Sequence, residues 1–150
     1  KITGSFEGYV PLSTDLYYKG ANAANFKLGA VLGYVQNGSA VFDTAQITCK
    51  TSGGIFACGC LYPSTAYNLT PYSSLKVDFR AGTARIDASS SRLLYGASLS
   101  NFQENTVTAT ISGNTLSFNI SNINATRYLA LNLYGNTGGG IFYIDRIYFA

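Results

Sequence analysis

The 150-residue sequence has no histidine, no methionine and no tryptophan, only three prolines and three cysteines, and charged residues amount to 11% of it. Each shortage removes a class of function. Without histidine, neither a Ser-His-Asp nor a Cys-His arrangement can be assembled. General-base work would fall to seven carboxylates, Glu7, Asp15, Asp43, Asp78, Asp87, Glu104 and Asp145. A glycosidase needs two carboxyl groups facing each other across about 5–9.5 Å, whereas these seven are widely spread along the chain and none sits in a recognisable catalytic motif. Surface acids and turn caps are their expected roles, so the chain reads as a non-enzyme. Phosphate-cradling motifs are missing too, because Gly138-Gly139-Gly140 precedes a strand-like run and lacks a following lysine.

The ten Lys and Arg residues behind the net charge of +3 are scattered singly. The electrostatic footprint of nucleic-acid binding is therefore not expected. No apolar run approaches the ~20 residues of a membrane-spanning helix, and no signal peptide is recognisable. Lacking methionine and beginning at Lys1, the chain is expected to be excised or processed from a longer polypeptide, with its address encoded upstream. Cys49, Cys58 and Cys60 make an odd set. Cys-Gly-Cys is poor zinc spacing, and no histidine can complete a site. In a strand Cys58 and Cys60, two apart, should share one face. They read as small buried hydrophobes of a protein assembled in a reducing compartment, with a cross-strand disulfide from Cys49 as the alternative.

What is plentiful is Gly, Ser, Thr and Asn, together with 12 Tyr and 9 Phe. This mixture favours strands and turns over helices, and the Ala21 to Ala24 stretch is too short to stand as a helix. Turn signals recur at Asn37-Gly38, Ser52-Gly53-Gly54, Thr70-Pro71, Ala81-Gly82, Gly113-Asn114 and Gly138 to Gly140, the spacing of a sandwich or barrel. Between them, period-two patterns predict strands near 6–10, 16–19, 27–35, 45–50, 55–62, 74–80, 92–97, 107–111, 115–120, 128–134 and 141–149. The clearest is Leu75, Val77 and Phe79 against Lys76, Asp78 and Arg80. Val107, Ala109 and Ile111, then Leu116, Phe118 and Ile120, flank Gly113-Asn114 as an antiparallel hairpin. At this length the expectation is one all-β domain, an antiparallel β-sandwich, over residues 16–150. Residues 1–15 form either a connecting segment or an edge strand.

Several runs carry a family resemblance. Tyr67-Asn68-Leu69-Thr70-Pro71-Tyr72-Ser73-Ser74-Leu75 resembles the entry into a central strand of galactose-binding-like jelly rolls. Leu116 to Ser121 with Tyr128 to Leu131 is similar to a later strand pair of those domains, and Tyr143 to Tyr148 to their final strand. Leu16-Tyr17-Tyr18-Lys19-Gly20 resembles the opening of such domains in tail and receptor-binding proteins of phages of Gram-positive hosts. Asn68 and Asn119 stand where the family commonly has aspartate, and Leu32-Gly33-Tyr34 where its phage members often carry Gly-Gly-Trp. The resemblance implies a jelly roll (galactose-binding-like) that serves as a carbohydrate-binding module of a phage tail, fibre or surface-attachment protein. Its partner would be a cell-surface glycan or polysaccharide, without nucleic acid or membrane insertion. The parent would be a homo-oligomer on a virion or extracellular surface. Jelly rolls of this type often hold a structural calcium through an aspartate near the last strand, which Asp145, with Asp43, would supply; no other cofactor is implied.

A sugar offers an apolar C–H face and a rim of hydroxyls, so its natural receptor is an exposed ring flanked by amides or Arg. Tyr62, Tyr67, Arg92, Tyr95, Asn101, Gln103, Tyr134 and Asn136 fall in or beside loops and form the candidate ligand-binding set. Any single tyrosine among them is equally at home packing a core rim. The competing expectation is a structural or decoration module that packs subunits in a virion or extracellular fibre without binding glycan. A secreted adhesin or an accessory module of a glycosidase comes third.

Overall fold

The computed structural model describes residues 14–29, 38–42, 45–54, 56–99 and 106–150. Within them the chain forms β1 (Asp15–Tyr18), β2 (Phe26–Gly29), β3 (Ser39–Phe42), β4 (Ile47–Lys50), β5 (Ala57–Pro63), β6 (Tyr67–Asn68), β7 (Ser74–Ala81), β8 (Arg92–Gly96), β9 (Thr106–Ser112), β10 (Thr115–Asn119), β11 (Thr126–Tyr134) and β12 (Ile141–Phe149). The Ala-rich piece supplies a single short 3-10 turn, Ala23–Asn25. No helix among the described residues is long and apolar enough to cross a membrane. The strand expectations at 6–10 and 30–35 lie outside the described residues. β3 and the two-residue β6 are strands that periodicity did not reveal, being too short to establish a period.

Every strand pairing is antiparallel, in the order β2-β5-β11-β8-β9-β10-β7-β12-β4-β3, with β1 added to β12 and β6 to β11. This band curls until its ends nearly meet, leaving a barrel with one seam between β5 and the β4/β3 pair. β9 is the corner: its first residues pair with β8 and its later ones with β10. The hairpin expected at Gly113-Asn114 is present, and Gly113, at φ +60°, takes the first central position of a two-residue turn, where a positive φ matches the strand twist.

Alternation sends Leu75, Val77 and Phe79 of β7 inward, where they join Leu61, Leu93, Leu116, Phe118, Leu131, Phe142 and Ile144 in one buried cluster. Each such side chain contributes about 1.5–3 kcal/mol of burial. The two nine-residue strands organise the molecule. β11 pairs with β8 along one edge and with β6 and then β5 along the other. β12 pairs with β7 along one edge and with β4 and then β1 along the other.

The hand-over on β12 falls at Asp145. Strict alternation requires this residue to be either buried or re-aimed by a bulge, and the structure has the bulge: Ile144 faces Phe79 while Arg146 faces Asp78, so Asp145 is the extra residue. Its carboxylate turns outward and takes two hydrogen bonds from Arg80, at 2.8 Å and 3.1 Å. That contact raises the Arg80 pKa. Both carboxylate oxygens are thus engaged by a cation, not set out for calcium. Among the described residues no group of three acidic or cysteine side chains could hold a metal, and Asp43 lies outside them.

A second bulge corrects the placing of the cysteines. On β5, Asn132 faces Cys60 and Leu133 faces Gly59, but Tyr134 faces Ala57, so Cys58 is the extra residue and Gly59 turns through φ +135°. Cys58 joins Cys49 in the main core, while Cys60 points the other way into a small cluster with Leu94 and Ala130, flanked by Tyr62 and Tyr128. The two cysteines expected on one face are on opposite faces, because the bulge shifts the period by one.

Candidate functional site

β8 and β11 lie side by side with Tyr95 opposite Leu129 and Gly96 opposite Tyr128. The chain reaches β11 through residues 120–125, and this connection is pinned at every step. Asn119 Oδ1 accepts from the Ser121 N–H at 3.0 Å and from its hydroxyl at 2.7 Å, the side-chain turn for which Asn and Asp are suited. The Ile120 N–H donates to the Ser73 carbonyl at 2.9 Å, the Ile123 N–H to the Ile120 carbonyl at 3.0 Å, and the Leu69 N–H to the Ala125 carbonyl at 3.0 Å. Ile120 is buried and Ile123 packs against the core. With Ile123 committed inward, its neighbours Asn122 and Asn124 remain exposed.

The result is a cleft of about 500 Å³ between the ends of β8 and β11 and this connection, lined by Tyr95, Asn122, Ile123, Asn124 and Arg127 with the small Ala97 and Ala125. Tyr95 is half-buried and packs in part against the core, so its ring is held in place. Arg127 is the single charged residue of the lining, and its Nη1 donates to the Thr126 carbonyl at 2.8 Å. The cleft thus offers a fixed aromatic ring, two amides and a guanidinium, with no carboxylate. These groups can stack, donate and accept hydrogen bonds, and attract an anion.

The residues anticipated from sequence are divided between regions. Tyr95 lines the cleft. Tyr67 is the register partner of Arg127, but its ring packs on Phe149 at 5.7 Å between centroids, beside Tyr72, which stacks on the same Phe149 at 4.6 Å. Arg92, Tyr134 and Asn136 lie at the far end of the same strands, seven residues or about 23 Å along β11 from Arg127. There they meet the 85–91 turn: Arg92 donates to the Ser89 and Ser91 carbonyls at 2.8 Å, the Tyr134 N–H to Ser91 Oγ at 3.0 Å, and the Arg85 N–H to Asn136 Oδ1 at 2.9 Å. Tyr62 lies over Cys60, Leu94 and Ala130 on the outer face. Asn101 and Gln103 lie outside the described residues. Asn122, Asn124 and Arg127 were not anticipated. Their signal was the polar-apolar-polar run Asn122-Ile123-Asn124, in which one inward isoleucine fixes two outward amides.

The chain matches no protein-family model, and a search of curated proteins finds no relative.

Proposed function

We propose that the chain is a non-catalytic glycan-binding module, a jelly roll of galactose-binding-like type carried by a phage tail, fibre or other surface-attachment protein. The Tyr95 cleft is the observation that supports this reading. The ring receives the C–H face of a sugar, the Asn122 and Asn124 amides bond its hydroxyls, and Arg127 takes an acidic substituent. A hydrogen bond to a charged group contributes about 1.5–3 kcal/mol. A uronate or phosphate-substituted sugar is therefore bound at least tenfold more tightly than its neutral counterpart. The partner is a cell-surface polysaccharide, met at a virion or extracellular surface without nucleic acid or membrane insertion. One shallow site is weak, and a homo-oligomeric parent supplies avidity by presenting several.

The second reading, a packing module of a virion or fibre, draws on Val41, 60% exposed on the edge strand β3. An array of neutral and acidic glycans, followed by calorimetric titration of the hits, separates the two. The expected result is binding that Tyr95→Ala removes, that Arg127→Gln weakens about tenfold for acidic sugars alone, and that Lys76→Ala, on β7 three places along the strand order from β8 and outside the cleft lining, leaves unchanged. Retention of no glycan by the folded chain, or retention that survives Tyr95→Ala, overturns the proposal. The former, combined with concentration-dependent self-association, favours the packing module.

A further inference from the structure

The seam of the barrel is where the two ends of the band face each other, and it carries an unusual pair of side chains. β4 stands next to last at one end of the strand order and β5 next to last at the other. The short connection from Lys50 to Ala57 crosses the gap, with the Ser52 N–H bonded to the Ala57 carbonyl at 3.1 Å. The bulge at Cys58 takes that residue out of the β5/β11 register, and the Cys58 carbonyl accepts from the Gly38 N–H just before β3, at 2.9 Å. Cys49 and Cys58 thus lie on the two sides of the seam, both fully buried and both in the main core. Each thiol shifts the proton affinity of the other, as only close neighbours do. Cys60 belongs to the outer cluster and is directed away from both.

We propose that Cys49 and Cys58 are an oxidative cross-linking site, forming a disulfide that closes the barrel seam when the protein meets a low-molecular-weight disulfide such as oxidised glutathione. The inference is independent of what the Tyr95 cleft binds. The two side chains share the core on facing sides of the seam, and the bond to be formed is an S–S link of ~2.05 Å. The polarity of the pair assigns the roles. The interaction with Cys58 and then burial push the Cys49 thiol well above its ordinary range, while the interaction with Cys49 pulls Cys58 below it. Cys58 is therefore the first thiolate. It attacks one sulfur of oxidised glutathione, breaking that S–S bond and releasing one glutathione thiolate. Cys49 then loses its proton and attacks the Cys58 sulfur of the mixed disulfide, releasing the second. The protein gives up two electrons and two protons, and both appear on two molecules of reduced glutathione. Because the thiols are buried, exchange proceeds from a seam-open form, during folding or by separation of β5 from β3 and β4.

The measurement is an intact-mass and peptide map of the full chain after equilibration, and after refolding, in glutathione buffers of graded potential. The expected product is lighter by two hydrogens, joins Cys49 to Cys58 and leaves Cys60 open to alkylation. A cross-link closing this loop raises Tm by about 5–10 °C, reversibly on reduction. The rise is absent in Cys49→Ala and Cys58→Ala and kept in Cys60→Ala, each compared with its own reduced form. A map that joins Cys60 to either partner, covalent dimers in place of the internal bond, no loss of hydrogen after oxidative refolding, or a bond that leaves Tm unmoved would each overturn the proposal.

Discussion

Gly38 is the tightest residue of the seam. A Cβ placed on it would lie 2.9 Å from the Cys58 Cα and would clash with the Lys50 carbonyl oxygen, both of which are backbone and have nowhere to move. Gly53, on the connection between β4 and β5, faces open space. Gly38→Ala is therefore expected to cost about 2–3 kcal/mol in chemical denaturation, while Gly53→Ala stays within about 0.5 kcal/mol of the parent. Equal effects at the two positions would remove the steric account of the seam. Sequence marked both glycines as turn residues, but the close approach at Gly38 depends on β4 and β5, which lie beyond it in the chain. The cysteines repeat the lesson. Cys-Gly-Cys read as one face because a strand has period two, and the bulge that separates Cys58 from Cys60 is specified jointly with Leu133 and Tyr134 of β11, far along the chain. Tyr95 was legible as a ring beside a loop. Arg127 was not, since nothing in its neighbourhood in sequence tells that the end of β8 will stand next to it.

At the scale of elements, the period-two runs of β7, β9, β10, β11 and β12 were readable because each is long enough to alternate, and because all but β9, whose Ile111 is 39% exposed, turn most of their apolar residues into the core. Irregularities were readable only as alternatives. Asp145 broke the alternation of β12, and the structure resolves the break into a bulge at the point where β4 gives way to β1. Two ion pairs flank it and differ in surroundings. Arg80 with Asp145 lies on the surface, the side chains 50% and 20% exposed, whereas Arg146 Nε reaches Asp15 Oδ1 at 2.7 Å with the Asp15 side chain 1% exposed. Arg146 also lies over the rings of Tyr148, at 3.8 Å, and Tyr18, at 5.7 Å. An exposed pair contributes about 0–1 kcal/mol; removing the cation from a buried carboxylate costs about 3–5 kcal/mol, because a charge is left in the interior. Arg146→Ala should accordingly lower stability by about 3 kcal/mol or more and Arg80→Ala by less than about 1 kcal/mol, compared by urea titration at one pH. A reversed order would mean that β1 is not held to β12 through this pair.

For the whole molecule, alternation decides which face of each strand turns inward but not which strand stands beside which. The sequence therefore specified an all-β chain of antiparallel strands, while the order of the band emerges only when distant strands meet. The pairing of β1 with β12 joins Asp15 to Tyr148 across nearly the whole chain. Non-local pairing of this kind makes folding slow and all-or-none, since loop-closure entropy is spent before the contacts that reward it. β12 is the point on which this converges. It supplies Phe142, Ile144, Ile147 and Phe149 to the core and covers edges of β1, β4 and β7 at once. Deleting residues 141–150 is expected to do more than weaken the domain. It removes four buried side chains at about 1.5–3 kcal/mol each, a loss comparable to the ~5–15 kcal/mol by which a domain of this size is stable. The shortened chain should show no cooperative transition in urea and no near-ultraviolet circular dichroism from its remaining tyrosines. A cooperative transition in that chain would place the core in the β2-β5-β11-β8 half alone, and the closure of the barrel would then be an addition to the fold, not its condition.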